Sequence, residues 1–161
     1  MGNALDGPTP GFLVWRLSMK WRVAIDRALR PLGLTHAQYS LLGSLLGMQR
    51  TGLRPSQRAL ADHTGFEALY VSKLARSLEA AGLVERAADP ADTRAVQLSL
   101  TVEGLKVADH AVGIVRRLVD GLLAPLGGLD GPDAEAFTRA LTALLDVPVP
   151  AVTDPPTEES S

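Results

Sequence analysis

The stretch SQRALADHTGFEALYVSKLARSLEAAGLVERAADPADTRAVQLSLT, residues 56–101, decides the fold of this chain. In its first half, Ser56 is a predicted N-cap for a short helix from Gln57 to Thr64, and Gly65 allows a tight turn before a second helix. In its second half, the helical period gives way to the runs LVERA and AVQLSL around the turn-forming segment ADPADTR. The pattern therefore predicts a helix-turn-helix followed by a β-hairpin.

The second helical segment, from Glu67 to Ala81, separates into two faces at a spacing of three and four residues. The apolar face, predicted to lie in the core, comprises Val71, Leu74, Leu78 and Ala81. The opposite face comprises Leu69, Ser72, Lys73 and Arg76. A hydroxyl and two cations on an outward helix face can reach base edges and phosphates, so we expect this face to contact DNA. Gly82 stands where a helix commonly ends.

The segment ADPADTR carries the second candidate contact with DNA. Arg94 follows Asp92 by two residues, so the carboxylate can hold the guanidinium by a charge-assisted hydrogen bond and direct it outward. After the second run, Thr101 is a predicted N-cap for the next helix.

These residues resemble a known family. The run from Ser56 through Gly104, above all LVERAADPADTRAVQLSLTVEG, is similar to the winged-helix signature of MarR-type transcriptional regulators, and the order of elements is similar from Phe12 to Leu145. The resemblance implies a helix-turn-helix in the major groove, a wing arginine in the minor groove and a symmetric dimer. The family commonly has polar residues in the first turn of the recognition helix, where this chain has Ala68, Leu69 and Tyr70. The operator sequence therefore does not follow from the resemblance.

The composition favours one folded domain. The chain has 161 residues, of which 46% are hydrophobic, enough for a single core. It contains no cysteine, which excludes disulfides, cysteine-ligated zinc and a cysteine-based oxidant sensor. The N-terminus lacks a signal-peptide pattern and no apolar run approaches ~18 residues, so the predicted location is cytoplasmic.

The charge is distributed unevenly along the chain. The net charge is −2, but residues 101–161 hold four basic against ten acidic residues, whereas residues 1–33 hold five basic against two acidic. Phosphate binding depends on local cations rather than on the total. The cations expected to face DNA are Arg54, Arg58, Lys73, Arg76, Arg86 and Arg94. The alternative interpretation is a solvated charged surface.

Helices are also predicted on both sides of the opening stretch. One runs from Phe12 to about Leu32, with Pro31 shortening its last turn, and a capping box of Thr35 and Gln38 opens the next. A long helix runs from Thr101 to about Ala124, and the last begins at Pro132 and ends near Asp146. By resemblance, residues 12–33 and 101–146 form the dimerisation helices and residues 34–100 the DNA-binding lobe. Residues 1–10 and 147–161 are predicted to be flexible ends.

The sequence has no motif of catalysis or metal binding. The three histidines, at positions 36, 63 and 110, have no metal-ligand spacing, and there is no nucleotide-binding loop or nucleophile elbow. Asp89 and Asp92 fall in a turn, where Asp is favoured for local hydrogen bonds. We therefore expect no metal, no cofactor and no enzymatic activity.

A site for an effector is predicted from the resemblance, because MarR-like regulators often bind anionic or phenolic molecules between the dimerisation helices and the DNA-binding lobe. The side chains near that junction that suit an aromatic acid are Trp15, Arg16, Met19, His36 and Tyr39. The alternative interpretation is that Trp15 and Tyr39 are ordinary core or interface aromatics.

Together the patterns predict a mainly α fold with a small β-hairpin, a winged helix-turn-helix lobe and outer helices that pair two subunits. The predicted function is that of a sequence-specific transcriptional regulator, a ligand-responsive repressor that binds palindromic double-stranded DNA as a homodimer. The predicted DNA contacts are Arg54, Arg58, Leu69, Tyr70, Ser72, Lys73, Arg76, Arg86, Asp92 and Arg94. Two other classes stay open: a winged helix used only for protein interaction, and an enzyme of unrecognised type.

Overall fold

A computed structural model describes residues 7–150 of the chain. The elements in order are α1 (Pro10–Leu29), α2 (His36–Arg50), α3 (Gln57–Thr64), α4 (Ala68–Ala80), β1 (Val84–Ala88), β2 (Val96–Leu100), α5 (Val102–Leu122) and α6 (Pro132–Leu145), with short 3₁₀ helices at Arg30–Leu32 and Ala124–Leu126. This order confirms the predicted mainly α fold with one hairpin. The chain divides into two compact units, Met1–Leu118 and Val119–Ser161.

Helix α1 begins two residues earlier than the sequence pattern predicts. The hydroxyl of Thr9 accepts a hydrogen bond from the amide of Phe12 at 3.3 Å, and Pro10 takes the first helical position. The helix ends at Leu29 because Arg30–Leu32, which contains Pro31, continues as a 3₁₀ turn. The shortened last turn is therefore confirmed, and Pro10 belongs to α1 rather than to a flexible end.

Helix α2 lies at the centre of the first unit, in contact with α1, α3, α4 and β2. The predicted capping box is confirmed: the amide of Gln38 donates to the Thr35 hydroxyl at 3.2 Å, and the Gln38 side chain accepts from the Thr35 amide at 2.9 Å. Its buried side chains are Leu41, Leu42, Leu45 and Leu46. This apolar face forms the core against which the helix-turn-helix packs.

Helices α3 and α4 form the predicted helix-turn-helix. Ser56 caps α3 through a 3.1 Å hydrogen bond from the amide of Ala59, and Gly65 takes a φ of +72° at the turn. The predicted core face of α4 is confirmed except at one position, and its buried residues are Val71, Leu74, Ala75 and Leu78. Ala81 is exposed, because the helix ends at Ala80 and the apolar stripe ends with it.

The hairpin pairs Val84 with Leu100 and Ala88 with Val96 in antiparallel register. The loop before α3 joins this sheet at the other edge of β2, where the Leu98 amide donates to the carbonyl of Pro55 at 3.0 Å. Thr101 caps α5 as predicted, since its hydroxyl accepts from the Gly104 amide at 2.9 Å. The hairpin, called the wing from here on, is thereby tied to the loop before α3 at one end and to the start of α5 at the other.

The second unit contains the end of α5, the turn at Ala124–Leu126 and α6. Pro132 occupies the first turn of α6 with Asp133 and Glu135, as predicted for a helix N-terminus. Of the predicted flexible ends, 1–10 and 147–161, the parts at 1–6 and 151–161 lie outside the described residues. Among residues 7–150, no helix is both long enough and apolar enough to cross a membrane.

Candidate nucleic-acid interface

The outward face of α4 is defined here by Leu69, Lys73 and Arg76. All three are exposed, and at 100° per residue they lie opposite the buried side of the helix. Lys73 follows Leu69 by one turn and Arg76 follows it by two, so the three form one row along the helix. Ser72, at the flank of this row, is only half-exposed. The row presents an apolar side chain and two cations to the solvent.

Tyr70 lies on the other flank of α4. Its ring packs edge-on against Phe66, with 5.4 Å between ring centroids and an angle of 78° between the planes. The residue is nevertheless 44% exposed. The aromatic contact fixes the ring beside the row while leaving part of it available to a ligand.

The wing places Arg94 at its tip. Its side chain is 95% exposed, and its Nε lies 3.7 Å from Oδ1 of Asp92. The same oxygen accepts a 3.0 Å hydrogen bond from the backbone amide of Arg94. The predicted hydrogen bond from the guanidinium to Asp92 is therefore wrong in detail. The Asp92 carboxylate is hydrogen-bonded to the backbone of the turn, and with the Arg94 guanidinium it forms only an ion pair.

The other predicted cations have different surroundings. Arg54 is exposed in the loop before α3, and Arg58 is exposed on α3, with its Nε 3.6 Å from Oδ1 of Asp62. The side chain of Arg86 is only 23% exposed, and its guanidinium lies 3.3 Å from Oε2 of Glu79 on α4. Arg86 therefore links the wing to the recognition helix, a bracing position that sequence spacing alone did not indicate.

A cleft of about 1370 Å³ lies within the first unit, between α1, α2 and the helix-turn-helix. Three of the five predicted effector residues, Met19, His36 and Tyr39, line it. The other two, Trp15 and Arg16, are outside the lining: Arg16 stands 6.0 Å from the ring centroid of Phe12 on an exposed part of α1.

The cleft also has lining residues that the sequence reasoning missed. They are Arg22, Asp26, Arg30, His63 and Tyr70 among others. Arg22 and Asp26 follow Met19 by three and seven residues, so helical spacing could have placed them on the same face. His63 and Tyr70 come from the helix-turn-helix, and no spacing in the sequence relates them to the residues of α1. The cleft thus connects α1 directly to the helices expected to contact DNA.

Burial shifts the pKa values of two rings in the cleft wall. Burial lowers the pKa of His36; nearby Asp26 opposes this shift and Arg22 adds to it. Burial raises the pKa of the Tyr39 phenol. The two rings are stacked with 6.5 Å between their centroids. At neutral pH the wall therefore presents a neutral imidazole and a neutral phenol beside the cation of Arg22.

Comparison with known proteins finds sequence relatives along most of the chain. A sequence model of the MarR family matches residues 32–95. An uncharacterized HTH-type transcriptional regulator, YdcH of Bacillus subtilis, is 35% identical over 76% of this chain and 84% of its own length. The HTH-type transcriptional repressor Rv2887 of Mycobacterium tuberculosis is 34% identical over 89% of this chain and 98% of its own.

Solved structures have the same fold. The structure of MepR from S. aureus in complex with DNA superposes with a TM-score of 0.74 at 28% identity, covering 85% of this chain and 96% of that one. The row on α4 and the wing described above therefore belong to a fold that, in MepR, has been crystallised with DNA.

Proposed function

The chain belongs to the MarR family of transcriptional regulators, and from this membership we propose that it binds a palindromic DNA operator as a homodimer and represses transcription. The observation that carries the proposal is the pairing of a cationic outward face on α4 with an almost fully exposed arginine at the wing tip. A helix of this kind fits the major groove, and a single exposed cation fits the adjacent minor groove.

The proposed assignment of regions follows the order of the elements. Residues 34–100 form the DNA-binding lobe, and the outer helices at 12–33 and 101–146 pair two subunits. A two-fold axis would place two copies of α4 about one DNA turn apart, which is the geometry of a palindromic site. A cytoplasmic location belongs to the same proposal because the operator lies in the chromosome.

The exposed apolar surface of α1 supports the pairing. The large hydrophobic side chains exposed there are Phe12, Leu13, Val14, Trp15, Met19 and Val23. Exposed large hydrophobic side chains scattered singly are ordinary, whereas this many on one helix are characteristic of an interface. We assign this surface to the second copy of the chain.

The cleft is the proposed effector site. Its wall combines the Tyr39 and His36 rings with the guanidinium of Arg22, so it suits a small aromatic molecule with a negative charge. Such a ligand would release DNA by binding better to an arrangement of α1 and the helix-turn-helix that misfits the operator. Linkage then requires that DNA weaken ligand binding by the same factor.

Selection of duplexes from a random pool by the full-length protein tests the DNA-binding proposal. We expect enrichment of a palindrome with two half-sites about one helical turn apart. Enrichment of no sequence would contradict it and would favour a winged helix that contacts only other proteins. The effector proposal is tested separately, by titrating aromatic carboxylates up to millimolar concentration into the complex with the selected operator. Unchanged DNA affinity with all of them would contradict that class of effector.

The proposal assigns no chemical step to the chain. The two relatives described above are named as a transcriptional regulator and a transcriptional repressor. The sequence also lacks the motifs of a nucleophilic or nucleotide-binding site. We infer that the chain acts through binding alone.

A further inference from the structure

We propose that Leu69 contacts the C5 methyl group of a thymine in each operator half-site, and so makes the chain selective for an A·T pair at that position. The inference rests on the proposed function, and it identifies one base of the operator that α4 recognises. It assigns specificity to a side chain that has no hydrogen-bonding atoms.

The position of Leu69 is the first observation. It is the second residue of α4, and the N-terminal residues of a recognition helix are those that contact base edges. It begins the outward row, and in direction around the helix axis it lies between Lys73, one turn later, and Arg76, two turns later. A groove that receives Lys73 and Arg76 therefore also receives Leu69, which points in a direction between them.

The exposure of Leu69 is the second observation. The side chain is 69% exposed, although the buried side of the same helix holds ordinary apolar residues. A leucine at this position adds nothing to the core, and the apolar area it leaves in water becomes favourable only when a partner covers it. The fold therefore gives no reason for an apolar residue at position 69.

The surface beside Leu69 has room for the edge of a base. A shallow depression of about 390 Å³ is lined by Gly65, Phe66, Glu67, Leu69, Tyr70 and Lys73. The edge-on packing of Tyr70 against Phe66 keeps one wall in place. The lining combines apolar groups of Leu69, Phe66 and Tyr70 with the cation of Lys73 and the carboxylate of Glu67, so it offers an apolar contact flanked by polar groups, as the edge of a base in the major groove does.

The chemistry of the major groove selects thymine among the bases. Thymine alone presents a methyl group there, next to its O4 acceptor, whereas adenine, guanine and cytosine present only polar atoms and C–H groups. Leucine cannot satisfy those polar atoms, so placing it against them would leave them without partners. The apolar contact thus favours thymine and disfavours the alternatives.

Uracil substitution in the selected operator tests the inference with the full-length protein. Each thymine is replaced in turn by uracil, which removes only the methyl group and keeps the base pair. We expect one symmetry-related pair of positions at which each replacement weakens binding by about fourfold, the factor for burying one methyl-sized group. In Leu69→Ala the same replacements should change the affinity by less than about twofold.

Two further variants separate this contact from general loss of affinity. Leu69→Met keeps an apolar side chain of similar volume and should keep the uracil penalty. Arg94→Ala should bind every duplex more weakly and still keep the penalty, because the wing is a separate contact. Leu69 is exposed and alanine is a stronger helix former, so Leu69→Ala should fold as the parent does.

The outcomes distinguish the inference from the proposed function. A selected palindrome whose thymines can all be replaced by uracil without loss overturns the inference and leaves the proposed function intact. Equal uracil penalties in the parent and in Leu69→Ala overturn it as well, because the methyl contact would then come from another residue. A selection that enriches no sequence overturns both.

Discussion

The carboxylate of Asp26, on α1, accepts a 2.6 Å hydrogen bond from the backbone amide of His36, the first residue of α2. The first amides of a helix have no partner within the helix, and their end of the helix dipole is positive, so a carboxylate there is doubly favourable. This contact joins α1 to the DNA-binding lobe at the wall of the cleft. Asp26 is therefore placed to set the angle between α1 and the DNA-binding lobe.

Removing the Asp26 side chain should destabilise the fold. We expect Asp26→Ala to lower the free energy of unfolding by about 1–2 kcal/mol, the usual value of a helix-capping group. Asp26→Asn keeps an acceptor oxygen but loses the charge, so its loss should be smaller. Urea denaturation of both variants measures the difference, and equal losses would show that the hydrogen bond itself contributes nothing.

The depressed pKa of His36 predicts a pH dependence of stability. Because the folded state disfavours the imidazolium, it binds fewer protons than the unfolded state just below the ordinary pKa of 6.5. The stability that the neutral His36 contributes is fully present above pH 6.5, and it is lost as the pH falls through the lower pKa of the folded state. Urea denaturation between about pH 7.5 and pH 5 should show this decline, and His36→Gln should flatten it. An unchanged slope in the variant would contradict the assignment.

The close approach of α5 to Leu83, just before β1, predicts that replacing Gly104 destabilises the fold. A methyl group at Gly104 would overlap the carbonyl of Leu83, which already accepts a hydrogen bond from the Thr101 amide. We expect Gly104→Ala to cost about 1–3 kcal/mol or more, measured by thermal or urea denaturation. The matched control is Gly47→Ala on α2, where a methyl meets no atom within 4 Å and should stabilise by about 0.5–1 kcal/mol. Similar values for the two variants would contradict the packing argument.

The exposed wing tip predicts that Arg94→Ala weakens binding without affecting the fold. The minor groove attracts a cation mainly through its potential, so affinity for operator and for unrelated duplex should fall together. The salt dependence of binding should decrease by about one unit for each half of the dimer. Fluorescence anisotropy over a salt series measures both quantities. An unchanged affinity and slope would exclude the wing as a DNA contact.

The apolar surface of α1 predicts a dimer at micromolar protein concentration. Light scattering should give twice the monomer mass, and Leu13→Glu should shift the mass toward the monomer because it places a charge in that surface. Leu53→Glu makes the same change at a leucine of comparable exposure in the loop before α3, and should leave the dimer intact. A monomer mass for the parent chain would contradict the proposed pairing.

The sequence by itself determined the elements whose signals are local. The sequence predicts three caps, at Ser56, Thr35 and Thr101, and in the structure each of these hydroxyls accepts a hydrogen bond from the amide three residues later. Such a contact spans only three residues of the chain, so it does not depend on tertiary packing. The turn at Gly65 and the hairpin followed from residue types in the same way. The family followed from the run of residues across the wing.

Only the tertiary structure decided which distant side chains meet. Arg86 was predicted to face DNA, yet it lies against Glu79, because the angle at which β1 passes α4 is set by core packing. The cleft combines Arg22 of α1 with Tyr70 of α4 and excludes Trp15, which spacing near the junction could not reveal. Capping needs a few adjacent residues, whereas a cleft needs the orientation of whole helices, and that orientation arises from the summed contacts of the core.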